Sequence, residues 1–242
     1  MSMRGVYQED YYSKYAAAYV RGSVLCERPS GPLLSLPDSL LEKSLDELTE
    51  DEAEAILDAG NAAGLKLYYF KKTHGDLPRV KRVLGFFRSI EMRSLLDVGS
   101  GRGVFLWPCL NAFPRLEVTG LDVLPHRVKL LNMVRQGGAA NLNAVAGDIC
   151  SQPAREKSHD VVTMLEVLEH ISDPSAAIRA ASQIAKKFVV VSVPSKPDNN
   201  PEHIHLLTKD ILTDLFVKAG CGRLHFDGAP GHLIMVAALE EK

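Results

Sequence analysis

Cysteine is scarce in this sequence: four residues, Cys26, Cys109, Cys150 and Cys221, spread over 242 positions with no Cys-x-x-Cys pair. That excludes a disulfide framework and the usual zinc-finger spacings, and it fits thiols kept reduced. Charge of one sign is equally lacking. Twenty-eight basic against thirty acidic side chains leave a formal net charge of -2, so no global field points to nucleic acid or to a membrane surface. No apolar run reaches the roughly 18 residues that a membrane span needs. The first ten residues lack the apolar core of a signal peptide. Repeats and low-complexity tracts are absent. These absences lead us to expect a cytoplasmic α/β chain with one full domain and an appendage.

What is present divides near residue 78. Residues 1–38 are tyrosine-rich and then carry Pro29, Gly31, Pro32 and Pro37, which reads as a weakly ordered arm or short helix followed by a linker. From Ser39 to Gly60, Leu41, Leu45, Leu48, Ala53 and Ile56 recur at helical spacing among acids. Within that stretch Thr49-Glu-Asp-Glu52 forms a capping box. The segment Lys66–Arg93 is basic by contrast. We therefore expect an N-terminal arm and helical cap over residues 1–77 and the main domain over 78–242.

From Arg93 onward, strands and helices alternate. Short apolar runs at Ser94–Val98, Leu116–Leu121, Asn143–Ala146, Asp160–Leu165 and Phe188–Val193 read as buried parallel strands. Helical stretches fall around Val104–Ala112, His126–Arg135, Pro174–Ala185 and Thr208–Ala219. Two last runs, Arg223–Asp227 and His232–Leu239, are joined by Gly228-Ala-Pro-Gly231, which is too short for a helical crossover. The expected fold is a seven-stranded, mostly parallel, doubly wound sheet closed by an antiparallel hairpin.

The first strand runs into Leu95-Leu-Asp-Val-Gly-Ser-Gly-Arg-Gly103 and then a helix. Glycines let a ligand lie against bare backbone, and helix-starting amides favour negative charge. A dinucleotide fingerprint wants G-x-G-x-x-G/A, but that register puts Val104 where the third small residue belongs. The pattern is Asp-x-Gly-x-Gly-x-Gly, with Asp97 two residues ahead of the first glycine. A cofactor with a cationic amine and no pyrophosphate wants that acid. Asp122 ends the second strand 19 residues after Gly103 and is placed to accept from two ribose hydroxyls. Gly147-Asp148-Ile149 follows the third strand.

Over roughly residues 78–240 the chain resembles the class I S-adenosylmethionine-dependent methyltransferases. The resemblance implies that Gly99, Gly101 and Gly103 wrap the methionine part of S-adenosyl-L-methionine and that Asp97 organises its amino group. It further implies Asp122 at the ribose and Asp148 near the adenine amino group, with Val123 and Ile149 beside them in the cofactor site. Strand four would then end beside the methyl group, in Met164-Leu-Glu-Val-Leu-Glu-His170.

That last stretch supports two readings. Glu166-Val-Leu-Glu169-His170 is similar to a motif of metal-dependent 3′-terminal 2′-O-methyltransferases of small RNAs, in which a later histidine completes the site. Here Glu166, Glu169, His170 and His205 would hold Mg²⁺ or Mn²⁺. The same stretch also looks like the ubiquinone-type O-methyltransferases, where it would shape the mouth of the site with no metal. The loop Val193–His205 carries three prolines and lies at the carboxyl edge of the sheet, a good place to line an acceptor pocket. Glu166, His203 and His205 are the candidate catalytic groups around the methyl, any one of which can take a proton. His74, His126, His159, His225 and His232 show no supporting pattern and are assigned to surface or structure.

Leu67-Tyr-Tyr-Phe70 and Val83-Leu-Gly-Phe-Phe87 are either acceptor walls or helix packing, and Trp107 sits at core spacing. The basic run Lys66–Arg93 either tracks RNA phosphates or is a solvated face. No Asn-Pro-Pro-Tyr tetrad follows strand four, which disfavours DNA bases. The expected activity is methyl transfer to an O or N nucleophile of a small-molecule acceptor. The alternatives are a metal-dependent RNA 2′-O-methyltransferase, a nicotinamide-dependent oxidoreductase, or a non-catalytic methyltransferase-like scaffold.

Overall fold

The structure is a computed structural model that describes residues 11–26, 34–70, 77–151 and 156–239. Its sheet grows from short buried runs such as β1 (Ser94–Val98) and β2 (Glu117–Asp122). Alternate residues of one strand point to opposite faces. Leu95 accordingly joins a core with Trp107, Leu131 and Phe87, while Leu96 joins a second core with Ile178, Leu212 and Phe216. Both faces are covered, which is why the strands read as continuous apolar runs and not as alternating ones.

The remaining strands are β3 (Leu142–Ala146), β4 (His159–Leu165), β5 (Ala185–Pro194), β6 (Arg223–Ala229) and β7 (His232–Ala238). They lie in the order β3-β2-β1-β4-β5-β7-β6. β3 through β5 in that order are parallel, and β7 pairs antiparallel with both β5 and β6. The expected doubly wound sheet with a closing hairpin is what the chain forms. The main shift in strand boundaries is that β5 opens at Ala185, three residues before Phe188, directly where the preceding helix ends.

Eight α-helices are described: α1 (Tyr11–Cys26), α2 (Asp38–Glu42), α3 (Glu50–Ala62), α4 (Pro78–Phe87), α5 (Leu106–Ala112), α6 (Pro125–Gln136), α7 (Pro174–Ile184) and α8 (Lys209–Lys218). Their starts are chemically marked. Thr49 and Glu52 make the expected capping box of α3, and Thr208 caps α8 by accepting from the Ile211 amide. Asp173 caps α7 ahead of Pro174 at its first position. The acidic, helix-like stretch from Ser39 to Gly60 holds two helices, the second begun by the capping box at Thr49.

Where the sequence suggested a weakly ordered arm or short helix, α1 is a 16-residue helix. The run Ala16-Ala17-Ala18 and Gly22 let it lie flush against α6: a Cβ on Gly22 would stand 1.8 Å from the Met133 carbonyl oxygen. Tyr15 and Phe70 stack on Trp107 with ring centroids 5.3 and 5.5 Å away. Trp107 is fully buried, as its spacing implied. Arg21 of α1 is buried as well and donates to the carbonyls of Leu41 and Lys43, which closes α2 onto α1. The linker prolines Pro29 and Pro32, together with Lys71, Lys72 and His74, lie outside the described residues. Among the described residues no helix is long and apolar enough to cross a membrane.

Candidate active site

From β1 the chain moves to β2 and β3 on one side and later to β4 and β5 on the other. The order therefore reverses between β1 and β4, and the carboxyl ends of those strands frame the crevice where open α/β sheets bind ligands. The turn after β1 carries Gly99, Gly101 and Gly103 at φ of +68°, +55° and +79°. A Cβ on Gly103 would meet the Trp107 ring at 2.1 Å, so that glycine is required by packing. Around Gly101 the space is open, with the Gly99 carbonyl oxygen the nearest atom to a Cβ there, at 3.7 Å.

Asp97 is buried beneath this turn. Its Oδ1 accepts from Thr163 Oγ1 at 2.7 Å, and its register partner on β4 is that same threonine. Burial pushes its carboxyl up to about 6, against the opposing effect of the hydroxyl bonds from Thr163 and Ser100. A buried acid so poorly solvated is suited to a cationic partner.

Asp122 ties two turns together: Oδ2 accepts from the Gly101 amide and Oδ1 from the Leu124 amide, both at 2.9 Å. Each oxygen keeps a second lone pair. Val123 follows at 62% exposure, with Val145 also exposed at the end of β3. Asp148 is exposed and its Oδ1 accepts from the Cys150 amide, whereas the Ile149 side chain belongs to the core shared with Leu121 and Leu168.

At the end of β4, Glu166 adopts φ +59°, a region that side chains with a Cβ rarely visit. Its Oε1 accepts from Ser192 Oγ at 2.6 Å and lies 3.8 Å from Arg79 Nε. Its Oε2 lies 2.9 Å from His232 Nδ1. Glu166 thus joins α4, β5 and β7, and not the group that follows it in sequence.

That following group is separate. Glu169 is fully buried, and neither carboxylate oxygen has a hydrogen-bond partner among the described residues. Burial, reinforced by Glu166 and Asp198, pushes its carboxyl up to about 8. Candidate ligand atoms of Glu169, His170 and His203 lie within 4.8 Å of one another. His170 Nδ1 is 2.9 Å from the Glu202 carbonyl oxygen and His203 Nδ1 is 2.9 Å from Asp198 Oδ2, which leaves Nε2 of each ring for a metal. Of the four expected ligands, Glu169 and His170 lie in this group while Glu166 and His205 stand outside it, and His203 supplies the third member. The buried Nε2 of His205 has no hydrogen-bond partner among the described residues.

The apolar segments resolve toward packing: Leu67, Phe70, Val83, Leu84 and Phe87 are buried in the two cores nearest the helices, while Tyr68 is exposed. In the basic run, Arg79 and Arg82 turn to Glu166 and Asp227. Sequence reasoning set His232 aside and saw Arg79 only as one of many cations. The signal that finds them is the hairpin register, which places His232 opposite Pro194 at the carboxyl edge of the sheet.

A family profile described as "Methyltransferase domain" matches residues 96–187. A ubiquinone biosynthesis O-methyltransferase from Bordetella avium is 30% identical over 121 residues, which is 48% of each chain. One of the same name from Yersinia pestis is 33% identical over an equal span. The chain spans about half the length of these curated relatives. Among solved structures, a SAM-dependent methyltransferase from Aquifex aeolicus superposes with a TM-score of 0.56 at 19% identity, covering 67% of this chain and 90% of that one. The N-terminal domain of EvdMO1, determined in the presence of SAH and D-fucose, gives 0.53 at 17% identity over 69% and 83%. The fold, and the profile match over residues 96–187, are those of the class I S-adenosylmethionine-dependent methyltransferases. Within that class its curated relatives carry the name of ubiquinone biosynthesis O-methyltransferases.

Proposed function

We propose that the chain transfers a methyl group from S-adenosyl-L-methionine to an oxygen of a small-molecule acceptor. The observation that carries this reading is the convergence of Asp97, the open glycine turn at Gly101 and Asp122 on one sheet edge at the switch point. Bound there, S-adenosyl-L-methionine supplies an electrophilic methyl on a sulfonium.

Each residue then has a task its geometry fits. Asp97 faces the methionine ammonium, the charge that its buried carboxyl lacks. Asp122 accepts from the ribose hydroxyls with the lone pairs its backbone bonds leave. Val123 offers an apolar surface to the adenine, and Asp148 a carboxylate to the adenine amino group. Ile149 supports the adenine pocket from the core below. Glu166, at the end of β4, faces the acceptor, with His203 and His205 on the loop opposite. Holding donor and acceptor in line and excluding water supplies most of such a rate enhancement.

The oxygen acceptor rests on the names of the curated relatives and on the clustering of proton-accepting groups beside the turn. A second reading, in which a divalent metal at Glu169, His170 and His203 activates a hydroxyl, including an RNA 2′-hydroxyl, is favoured by the orphaned Glu169 carboxylate.

Titration calorimetry of chelator-treated protein with S-adenosylhomocysteine tests the reading. Binding that weakens at least tenfold in both Asp97→Ala and Asp122→Ala is expected. Unchanged affinity in both variants would sink the cofactor assignment, and no binding by the wild type would leave the scaffold reading in its place.

A further inference from the structure

We propose that His232 is the group that takes the acceptor's proton, with Glu166 orienting the ring and Arg79 holding it ready. The proposal rests on the methyltransferase reading above and goes beyond it by naming the proton acceptor.

Three elements bring the cluster together. The antiparallel register sets His232, the first residue of β7, opposite Pro194 at the end of β5. Glu166 stands one residue beyond β4, and Arg79 lies in the first turn of α4. The cluster adjoins the cofactor turn, because Val167 lies so near Gly99 that a Cβ there would come within 2.6 Å of it. Glu166 is thereby fixed at the lip of the crevice.

The contacts also choose a tautomer. Arg79 Nη1 lies 3.4 Å from His232 Nε2, and a guanidinium has only donors. Nε2 therefore carries the lone pair, and the ring proton sits on Nδ1, beside Glu166 Oε2 at 2.9 Å. Nδ1 is buried, and although it lies 2.9 Å from the carboxylate it makes no formed hydrogen bond among the described residues. Catalytic contacts are commonly this loose before the acceptor arrives. A carboxylate on Nδ1 and a lone pair on Nε2 are what an imidazole base requires.

In the step itself, an acceptor hydroxyl displaces Arg79 from Nε2. Its proton passes to Nε2 as an oxygen lone pair forms the new C–O bond to the methyl. The C–S bond breaks with its electron pair left on sulfur, giving S-adenosylhomocysteine. The Glu166 carboxylate balances the imidazolium, which later loses its proton to water. Ser192, donating to Glu166 Oε1, keeps Oε2 turned to the ring.

Two measurements on the full chain decide the matter. Long-range ¹H–¹⁵N NMR of ¹⁵N-histidine protein, with the resonance assigned through His232→Gln, is expected to show the Nδ1–H tautomer. An Nε2–H tautomer overturns the proposal. The second measures release of S-adenosylhomocysteine using 3,4-dihydroxybenzoate and catechol as probe acceptors. His232→Ala and His232→Gln are expected to bind S-adenosylhomocysteine as the wild type does, yet turn over on the order of 10²-fold more slowly. Added imidazole should restore part of the rate in His232→Ala alone, which a merely structural role would not allow. Undiminished turnover in both variants also overturns the proposal. If the wild type binds the nucleoside but methylates neither probe, the small-molecule oxygen reading fails and the tautomer alone decides for His232.

Discussion

Val167 stands where a side chain on Gly99 would have to go: a Cβ built there comes within 2.6 Å of Val167 Cγ2. Gly99 also sits at φ +68°, which costs a residue with a Cβ about 1–2 kcal/mol. Together with the overpacking, Gly99→Ala should destabilise the protein by about 2–4 kcal/mol in urea denaturation. Adding Val167→Ala relieves the clash and leaves the dihedral penalty. The double variant is therefore expected to recover about 1 kcal/mol relative to additivity. Strict additivity would show that the two positions do not press on each other.

A paired comparison tests the α1–α6 seam. A Cβ on Gly22 would lie 1.8 Å from the Met133 carbonyl oxygen, a backbone atom that cannot turn aside, whereas one on Gly85 of α4 meets nothing within 4 Å. Gly22→Ala should cost more than about 2 kcal/mol by forcing the helices apart. Gly85→Ala should instead stabilise by about 0.5–1 kcal/mol through helix propensity alone. Equal effects in denaturant titrations would deny that α1 is seated on α6.

The same contrast explains what could be read in the sequence. Strands β1, β4 and β5 were legible because parallel strands covered on both faces appear as unbroken apolar runs. The glycine turn, Asp97 and Asp122 were legible because their spacing is local to strand ends. Helix α1 was not, since Ala16 to Ala18 and Val20 to Ser23 are buried in succession and leave no clear polar face to betray a helical period. The pairing of Arg79 with His232 spans 153 positions and exists only through hairpin register. Exchanging His205 for His203 in the group around Glu169 has a similar origin, because the loop's hydrogen bonds, including Ile204 N–H to the Glu169 carbonyl, set which ring faces inward.

Asp97 predicts opposite pH dependences for the free and ligand-bound protein. Its carboxyl is raised from 3.8 to about 6 by burial in the folded state. In the free protein the unfolded chain ionises first, so stability present below about pH 4 is lost as the pH rises to about 6. A bound ammonium needs the ionised form, so affinity for S-adenosylhomocysteine should fall below pH 6 by up to about tenfold per unit. Asp97→Asn should raise the stability of the free protein at pH 7 to 8 and abolish the pH dependence of what binding remains. Calorimetry from pH 5 to pH 8 checks both, and affinity that is flat across that range would remove Asp97 from the amine.

Glu169 sets a test for metal. A fully buried carboxylate whose oxygens have no hydrogen-bond partner among the described residues is unstable as an anion, and only a proton or a cation can relieve it. With its carboxyl raised to about 8, a proton suffices at neutral pH in the free protein. A divalent ion held by Glu169, His170 and His203 would displace that proton and bind the folded state alone. At a hundredfold excess over its dissociation constant it would add about 2.7 kcal/mol. Thermal denaturation of chelator-treated protein should then shift upward with added Mn²⁺. Glu169→Gln should remove the shift while raising the metal-free midpoint, because a neutral amide replaces a buried acid. A midpoint that ignores Mn²⁺ in the wild type, yet still rises in Glu169→Gln, would assign the site to a proton and leave hydroxyl activation to the groups around Glu166.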